Sequence, residues 1–361
     1  MGKSIVFTVT TDLNHDQRMT RIAGSLARAG YQVTLVGRRL PRSSKLEGRP
    51  YKQHRITCHF HKGPFFYLEY NLRLMLWLFR NRFDMYGAVD ADTALAAVFA
   101  AVWQRKPLVY DAHELFSEMP EVVNRPMVKS CWAFMEKLAF RRATLAYTVS
   151  ASLVSYFQVK YRRPVHLVRN MPQRQATYAL PDNPPYFIYQ GALNEGRALE
   201  TVLQAMVQVP ARFIICGDGP LLPQLKALAR QLGLEDKVMF KGNVPPAELV
   251  KITAAAWAGI MLLKPQGLSY YYSLANKFFD YVQAGIPQVC VPFPEYQQLN
   301  AQHEVALLAQ AEVEAVRNAL LTLLQDPETY HRLQQNCLRA REAWCWEMEE
   351  QQLVALYARI T

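Results

Sequence analysis

Residues Ser4 to Val36 read SIVFTVTTDLNHDQRMTRIAGSLARAGYQVTLV, and their changing periodicity decides the fold. Ser4 to Val9 is a short run of apolar and β-branched residues, the composition of a buried strand. Beyond the polar loop Asp12 to Gln17, apolar residues recur at Met19, Ile22, Ala23, Leu26 and Ala27. That spacing of three and four is an amphipathic helix, closed by Gly30, and Tyr31 to Val36 is a second strand. Strand, helix and strand in this order make a βαβ unit, whose crossover implies a parallel sheet.

The same alternation continues outward. Met85 to Val89 reads as a strand running into a helix capped by Thr93, and Leu108 to Tyr110 as a buried strand ending at Asp111-Ala112-His113-Glu114. Leu145 to Val149 and Val165 to Val168 complete a first domain, residues 1–172. Pro172, Pro181, Pro184 and Pro185 crowd an aperiodic stretch, Met171 to Pro185, which reads as a linker. The pattern restarts in a second domain, residues 173–361. Its strands are expected at Tyr186 to Tyr189, Phe213 to Cys216, Val238 to Phe240, Gly259 to Leu263 and Gln288 to Val291. Helices are expected between them, notably Leu199 to Met206 and Asn276 to Ala284. In doubly wound α/β sheets ligands bind beyond the carboxyl ends of the strands, so the loops after these strands hold the candidate site.

Composition agrees with two folded α/β domains: 361 residues, 51% hydrophobic and 20% charged. The longest apolar runs, Ala94 to Trp103 and Ala254 to Leu263, are about half the roughly 20 residues a spanning helix needs. With no signal-peptide pattern at the amino terminus, a cytoplasmic protein is expected, in which the six cysteines stay reduced. Charge is divided unevenly. Residues 1–170 carry 26 Lys and Arg against 12 Asp and Glu, a net of +14, and the remainder carries 15 against 18, a net of −3. The densest stretch, Arg38 to Arg55, reads either as a solvated loop or as a patch for an anionic membrane surface or a phosphorylated acceptor. The aromatic-rich run Phe65 to Phe79, with Arg73, Arg80 and Arg82, reads either as a buried helix or as an amphipathic element on a membrane face. No nucleic-acid-binding motif accompanies the charge.

Several short motifs occur in order: Asp16-Gln17-Arg18, Tyr110 to Leu115, Thr148-Val149-Ser150, Arg169-Asn170-Met171-Pro172, Tyr189-Gln190-Gly191, Gly196 to Glu200, Gly217-Asp218-Gly219-Pro220 and Asn276 to Tyr281 ahead of Ala284-Gly285-Ile286-Pro287. Their order and spacing resemble the family 4 glycosyltransferases over nearly the whole chain. The resemblance implies the GT-B architecture, two Rossmann-like domains facing a cleft, with the last helix, about 338–361, packing back on the first domain. It also implies transfer of a sugar from a nucleotide-sugar donor to a glycan or lipid-linked acceptor with retention of anomeric configuration, without a metal or other cofactor, in bacterial surface polysaccharide or glycoconjugate synthesis.

Breaking the anomeric bond of such a donor leaves negative charge on the departing diphosphate, which cations and backbone amides must stabilise. Arg197, in a glycine-flanked turn before a helix, and Lys277, in the first turn of a helix, are the candidates. His113, at the end of a buried strand, is expected to hydrogen-bond the sugar or acceptor, with Glu114 or Glu118 orienting groups nearby. Donor contacts are expected from Gly191, Gly217, Gly219, Ser273, Leu274, Asn276 and Asp280, and acceptor-side contacts from Asp92 and Glu114 and from Asp12, Asp16 and Arg18, the last three reading alternatively as braces of their own loop. The stretch Ser273 to Pro287 departs from the family's pattern: Tyr272 stands where a glutamate is usual, Asp280 is one methylene shorter than a second glutamate, and Ala192 replaces an arginine. Asp90 and Asp92 have the spacing of a metal-binding Asp-x-Asp, but two carboxylates alone do not specify a divalent ion. A nucleotide-sugar 2-epimerase and a non-catalytic nucleotide-sugar-binding subunit are the competing readings.

Overall fold

A computed structural model of the chain describes residues 2–175 and 184–360, apart from the side chains of Pro120 and Glu121. The chain forms two compact units, one of Met1–Asn170, Gly267–Ser269 and Glu349–Thr361, the other of Met171–Gln266 and Tyr270–Met348. The centre of the proline-rich stretch, including Pro181, lies outside the described residues.

In the first unit seven strands are hydrogen-bonded in the order β3-β2-β1-β4-β5-β6-β7. They are β1 (Ser4–Thr8), β2 (Gln32–Arg39), β3 (Lys52–Thr57), β4 (Met85–Val89), β5 (Leu108–Ala112), β6 (Leu145–Thr148) and β7 (His166–Leu167). Every pair is parallel; Val6 of β1 stands beside Thr34 of β2 on one side and Tyr86 of β4 on the other. Helices cover both faces of such a sheet, which is why β4 and β5 are buried along their whole length rather than alternately.

The second unit repeats the plan with six parallel strands in the order β10-β9-β8-β11-β12-β13. These are β8 (Tyr186–Gln190), β9 (Arg212–Cys216), β10 (Val238–Gly242), β11 (Ala258–Met261), β12 (Gln288–Cys290) and β13 (Ala306–Leu308). In each sheet the first strand of the unit has its sequence successor on one side and a later strand on the other. This puts a topological switch point between β1 and β4 and another between β8 and β11, and such points open the crevice where doubly wound sheets bind ligands.

Two features of the first unit differ from the sequence reading. The basic run Arg38 to Arg55 is not one loop, because its two ends lie in β2 and in the edge strand β3. The aromatic-rich run is an 18-residue helix, Gly63–Arg80, and only one of its faces is buried. Among the described residues no helix is long and apolar enough to cross a membrane. All six cysteines are free, Cys131 exposed and the others buried.

Candidate active site

At the switch point of the second unit, the β8 loop and the turn after β9 are pressed together. A Cβ on Gly217 would fall 1.9 Å from the carbonyl oxygen of Gly191, and one on Gly219 would fall 2.6 Å from that of Leu193. These two glycines therefore allow the two loops to touch, which explains them through packing before any ligand is considered. Gly191 itself has φ +130°, a conformation that favours glycine, and places its backbone against the Lys277 side chain.

Lys277 opens the helix Asn276–Ala284, which has no side-chain cap, so its first amides face the same region. The lysine is buried, and its Nζ lies 3.6 Å from the centre of the Tyr189 ring. No carboxylate forms an ion pair with it among the described residues. Burial, reinforced by repulsion from Arg197, drives its pKa well below the usual lysine range, and Asp280 offsets this only in part. Arg197 rests on Tyr270, its guanidinium carbon 5.1 Å from the ring centre, and its buried Nε has no hydrogen-bond partner among the described residues. The next residue, Ala198, adopts φ +53°, an uncommon conformation for a residue with a side chain, at the cap of the helix Leu199–Met206. Two neighbouring basic side chains, with no carboxylate ion pair among the described residues, make the local potential one that attracts an anion.

Asp280 is held from below. Gln190, the last residue of β8, donates from Nε2 to Asp280 Oδ2 (2.8 Å) and accepts at Oε1 from Thr253 Oγ1 (2.7 Å). The sequence reading did not single out Gln190. Its available signal was a polar residue ending the otherwise apolar strand YFIYQ. Ser273 turns inward, donating from both Oγ and N–H to the carbonyl of Tyr270. Leu274 is buried, Asn276 is exposed, and the amide of Ala275 donates to the Tyr296 hydroxyl.

The first unit places His113, Asp90, Asp92, Arg18 and Asp111 at the carboxyl ends of β1, β4 and β5. Arg18 is buried and binds Asp111 with two contacts, Nε to Oδ2 at 3.1 Å and an Nη to Oδ1 at 2.8 Å. His113 stands between two carboxylates, Nε2 3.1 Å from Asp111 and Nδ1 3.2 Å from Asp90. Burial works against its charge, but Asp111 and Asp90 outweigh that and raise its pKa to about 10. Nε2 is hydrogen-bonded to Asp111, while Nδ1 lies at ion-pair distance from Asp90, so His113 supplies a positive charge between the two carboxylates.

Asp90 has φ +59° and accepts from the amides of His113 (2.7 Å) and Glu114 (3.2 Å). Asp92 points elsewhere, to the Thr10 hydroxyl, and burial together with the neighbouring Asp90 charge raises its pKa to about 7. The two carboxylates of the Asp-x-Asp therefore do not share partners. Asp16 caps the helix Gln17–Arg28 through the amide of Met19 (2.9 Å), and Asp12 pairs with Arg55 and Ser43, tying the basic loop to β1. Glu114 is exposed, and Glu118 pairs with Lys129 at 2.7 Å.

Comparison with known proteins follows this division. The family model described as Glycosyltransferase Family 4 matches residues 17–171, and that described as Glycosyl transferases group 1 matches residues 171–339. The chain is 27% identical over 124 residues to the alpha-monoglucosyldiacylglycerol synthase of Streptococcus pneumoniae, covering 32% of this chain and 28% of that one. The chain spans half or less of the length of this and the other leading curated relatives. Among solved structures, sucrose-phosphate synthase from Thermosynechococcus elongatus superposes with a TM-score of 0.81 over 99% of both chains at 16% identity. Anabaena HepE in complex with UDP-glucose superposes with a TM-score of 0.75 over 99% of this chain and 100% of that one at 15% identity. At those identities the likeness is one of fold.

Proposed function

Because the chain belongs to the family 4 glycosyltransferases of GT-B architecture, we propose that it transfers a sugar from a nucleoside-diphosphate sugar to a glycan or lipid-linked acceptor. The single observation that carries this reading is the pair Lys277 and Arg197, two mutually repelling basic side chains at the β8/β11 switch point, neither in an ion pair with a carboxylate among the described residues. A diphosphate supplies the missing charge. As the anomeric bond breaks, Lys277, Arg197 and the uncapped amides of the helix Asn276–Ala284 stabilise the negative charge that grows on the leaving oxygen. Asp280, fixed by Gln190, accepts from the ribose hydroxyls, and the Gly191 turn admits the phosphates close to the backbone.

The first unit binds the acceptor at its β1/β4 switch point. Asp92, poised near neutrality beside Thr10, accepts from an acceptor hydroxyl, and the His113 cation holds the surrounding carboxylates in place. Retention follows if the departing phosphate itself takes the acceptor proton, which leaves this chain's residues to position and stabilise, with no metal required. UDP-glucose in a protein of the same fold makes a uridine-diphosphate sugar the first donor to try, and a lipid-named relative makes a lipid acceptor the first partner. Synthesis of a bacterial surface polysaccharide or glycoconjugate, on the cytoplasmic face of the membrane, is the setting we propose.

The test is incubation of the purified full chain with radiolabelled UDP-glucose, with and without bacterial lipid extract, alongside calorimetry with UDP. Acceptor-dependent labelling that disappears in Lys277→Ala is expected. Free epimerised sugar nucleotide without any acceptor would assign the epimerase reading instead, and UDP binding without turnover would assign a binding subunit.

A further inference from the structure

The helix Gly63–Arg80 carries two apolar stripes on opposite sides. Phe66, Tyr70, Leu74 and Leu78, spaced by four, are buried in the first unit. Phe65, Leu68, Leu72, Leu76 and Phe79, spaced by three and four, are exposed, Phe65 at 65% and Leu72 at 49%. A helix needs only the first stripe to fold, so the second is unexplained by the core. It does not stop at this helix. Phe79 meets Trp103 in a tilted ring contact, centroids 5.9 Å apart; Trp103 is 76% exposed at the end of the helix Asp90–Gln104, next to exposed Phe99 and Val102. A contiguous apolar surface of this kind marks an interaction site.

Charge specifies the occupant. Arg80, Arg82 and Arg105 border the patch, are exposed, and enter no ion pair among the described residues. Beside Phe79 and Trp103 lies a largely polar cavity lined also by Phe83, Gln104, Arg82 and Lys106, where Lys106 pairs with Asp84 at 3.1 Å and Arg82 has no ion pair among the described residues. The unit as a whole is the basic one, +14 over residues 1–170. An apolar stripe flanked by unpaired arginines complements an anionic bilayer, with side chains entering the acyl boundary and guanidinium groups at the phosphates.

The stripe is also placed for use. The helix spans about 27 Å, at 1.5 Å per residue over its 18 residues. Its amino-terminal end follows the carboxyl end of β3, so Phe65 lies toward the sheet edge that bears Asp12, Asp92 and His113, while Phe79 lies toward the opposite edge, near Ser4 and Asp84. A bilayer against this face therefore reaches the edge of the acceptor region. We infer that the exposed face of the helices Gly63–Arg80 and Asp90–Gln104 docks the first unit on an anionic membrane surface, a deepening that rests on the proposed lipid-linked acceptor.

Co-sedimentation of the full chain with vesicles of phosphatidylglycerol and phosphatidylcholine, against vesicles of phosphatidylcholine alone, tests this. Binding is expected only to the anionic vesicles and is expected to weaken with salt. It should fall at least tenfold both in Leu72→Asp with Leu76→Asp and in Arg80→Gln with Arg82→Gln, while UDP affinity by calorimetry stays unchanged. As a check that needs no destabilising change, brominated phosphatidylglycerol should quench the tryptophan fluorescence of the wild-type chain, and Trp103→Phe should remove most of that quenching. Absence of vesicle binding, or binding that both double variants retain, overturns the docking face without touching the donor assignment. Self-association that the same variants abolish, with no vesicle binding, would assign the face to a second copy. Loss of UDP binding in the wild-type chain would overturn the transferase reading independently.

Discussion

The two switch points have the same topology and treat buried charge in opposite ways. At β1/β4 each buried ion is answered: Arg18 by Asp111, His113 by both Asp111 and Asp90, Asp92 by the Thr10 hydroxyl. At β8/β11 Lys277 lies on an aromatic face and is repelled by Arg197, with Asp280 offsetting this only in part. A buried charge with its partners is architecture, since removing either member leaves the other stranded in low dielectric. A buried charge without one is a cost to the empty protein that a ligand of opposite sign removes. Burial alone therefore does not separate a brace from a binding site; compensation does.

The comparison can be broken most directly at Arg18. Arg18→Leu leaves the buried Asp111 with His113 alone as a partner and is expected to lower the stability of the first unit by about 3–5 kcal/mol, read by urea denaturation. A loss below about 1 kcal/mol would mean that the network is no brace. Lys277 should behave in the reverse manner. Lys277→Met is expected to leave the apo melting temperature unchanged or higher, while weakening UDP binding roughly a hundredfold, about 2.7 kcal/mol by calorimetry. Loss of stability together with affinity would make Lys277 structural.

The same depressed pKa has a pH signature. An anion beside Lys277 raises its pKa again, so UDP binding should take up a proton and weaken as pH rises above the depressed value. Calorimetry in buffers of different ionisation heat measures that uptake, and its absence would show that the lysine is already charged in the empty site. Gln190→Leu sharpens the picture further. Freeing the Asp280 carboxylate should raise the Kd for UDP about tenfold, close to 1.4 kcal/mol, with little change in the Kd for inorganic pyrophosphate, which has no ribose.

The effect confined to the alkaline range belongs to His113. Its pKa is raised from 6.5 to about 10, so its contribution to stability is complete below the unfolded value and is lost as pH rises through about 10. Denaturation of His113→Gln across the alkaline range should lack the decline that the wild type shows.

Much of the scaffold is legible without coordinates. The helices Leu199–Met206 and Asn276–Ala284 follow from apolar spacing, and most of the strands follow from apolar runs bounded by turn residues. The strand β3 escapes because its sequence, KQHRIT, is polar and pairs only with β2, so no apolar pattern is demanded of it. β13 is three residues long and gives no periodic signal. Of the proposed site, Lys277, Arg197 and Asp280 are named from motif and position. Gln190 lies in a quoted motif but its role does not show there, because it rests on two contacts with residues 63 and 90 positions away. His113 stands out in the sequence as a lone histidine at a strand end, but its two carboxylate neighbours belong to different strand ends and only converge in the fold.

The sequence by itself determined what local periodicity encodes: two doubly wound α/β halves, a basic first half and an acidic-leaning second, and the order of the motifs along the chain. Tertiary structure alone decided which charges meet. Pairing depends on distances between residues tens of positions apart, and burial sets how strongly each pair acts, so the same residue type is paired with Asp111 at Arg18 and in no carboxylate ion pair among the described residues at Arg197. It also decided which side of the helix Gly63–Arg80 meets the core, because a helix apolar on two opposite faces names no inner side until its neighbours are in place.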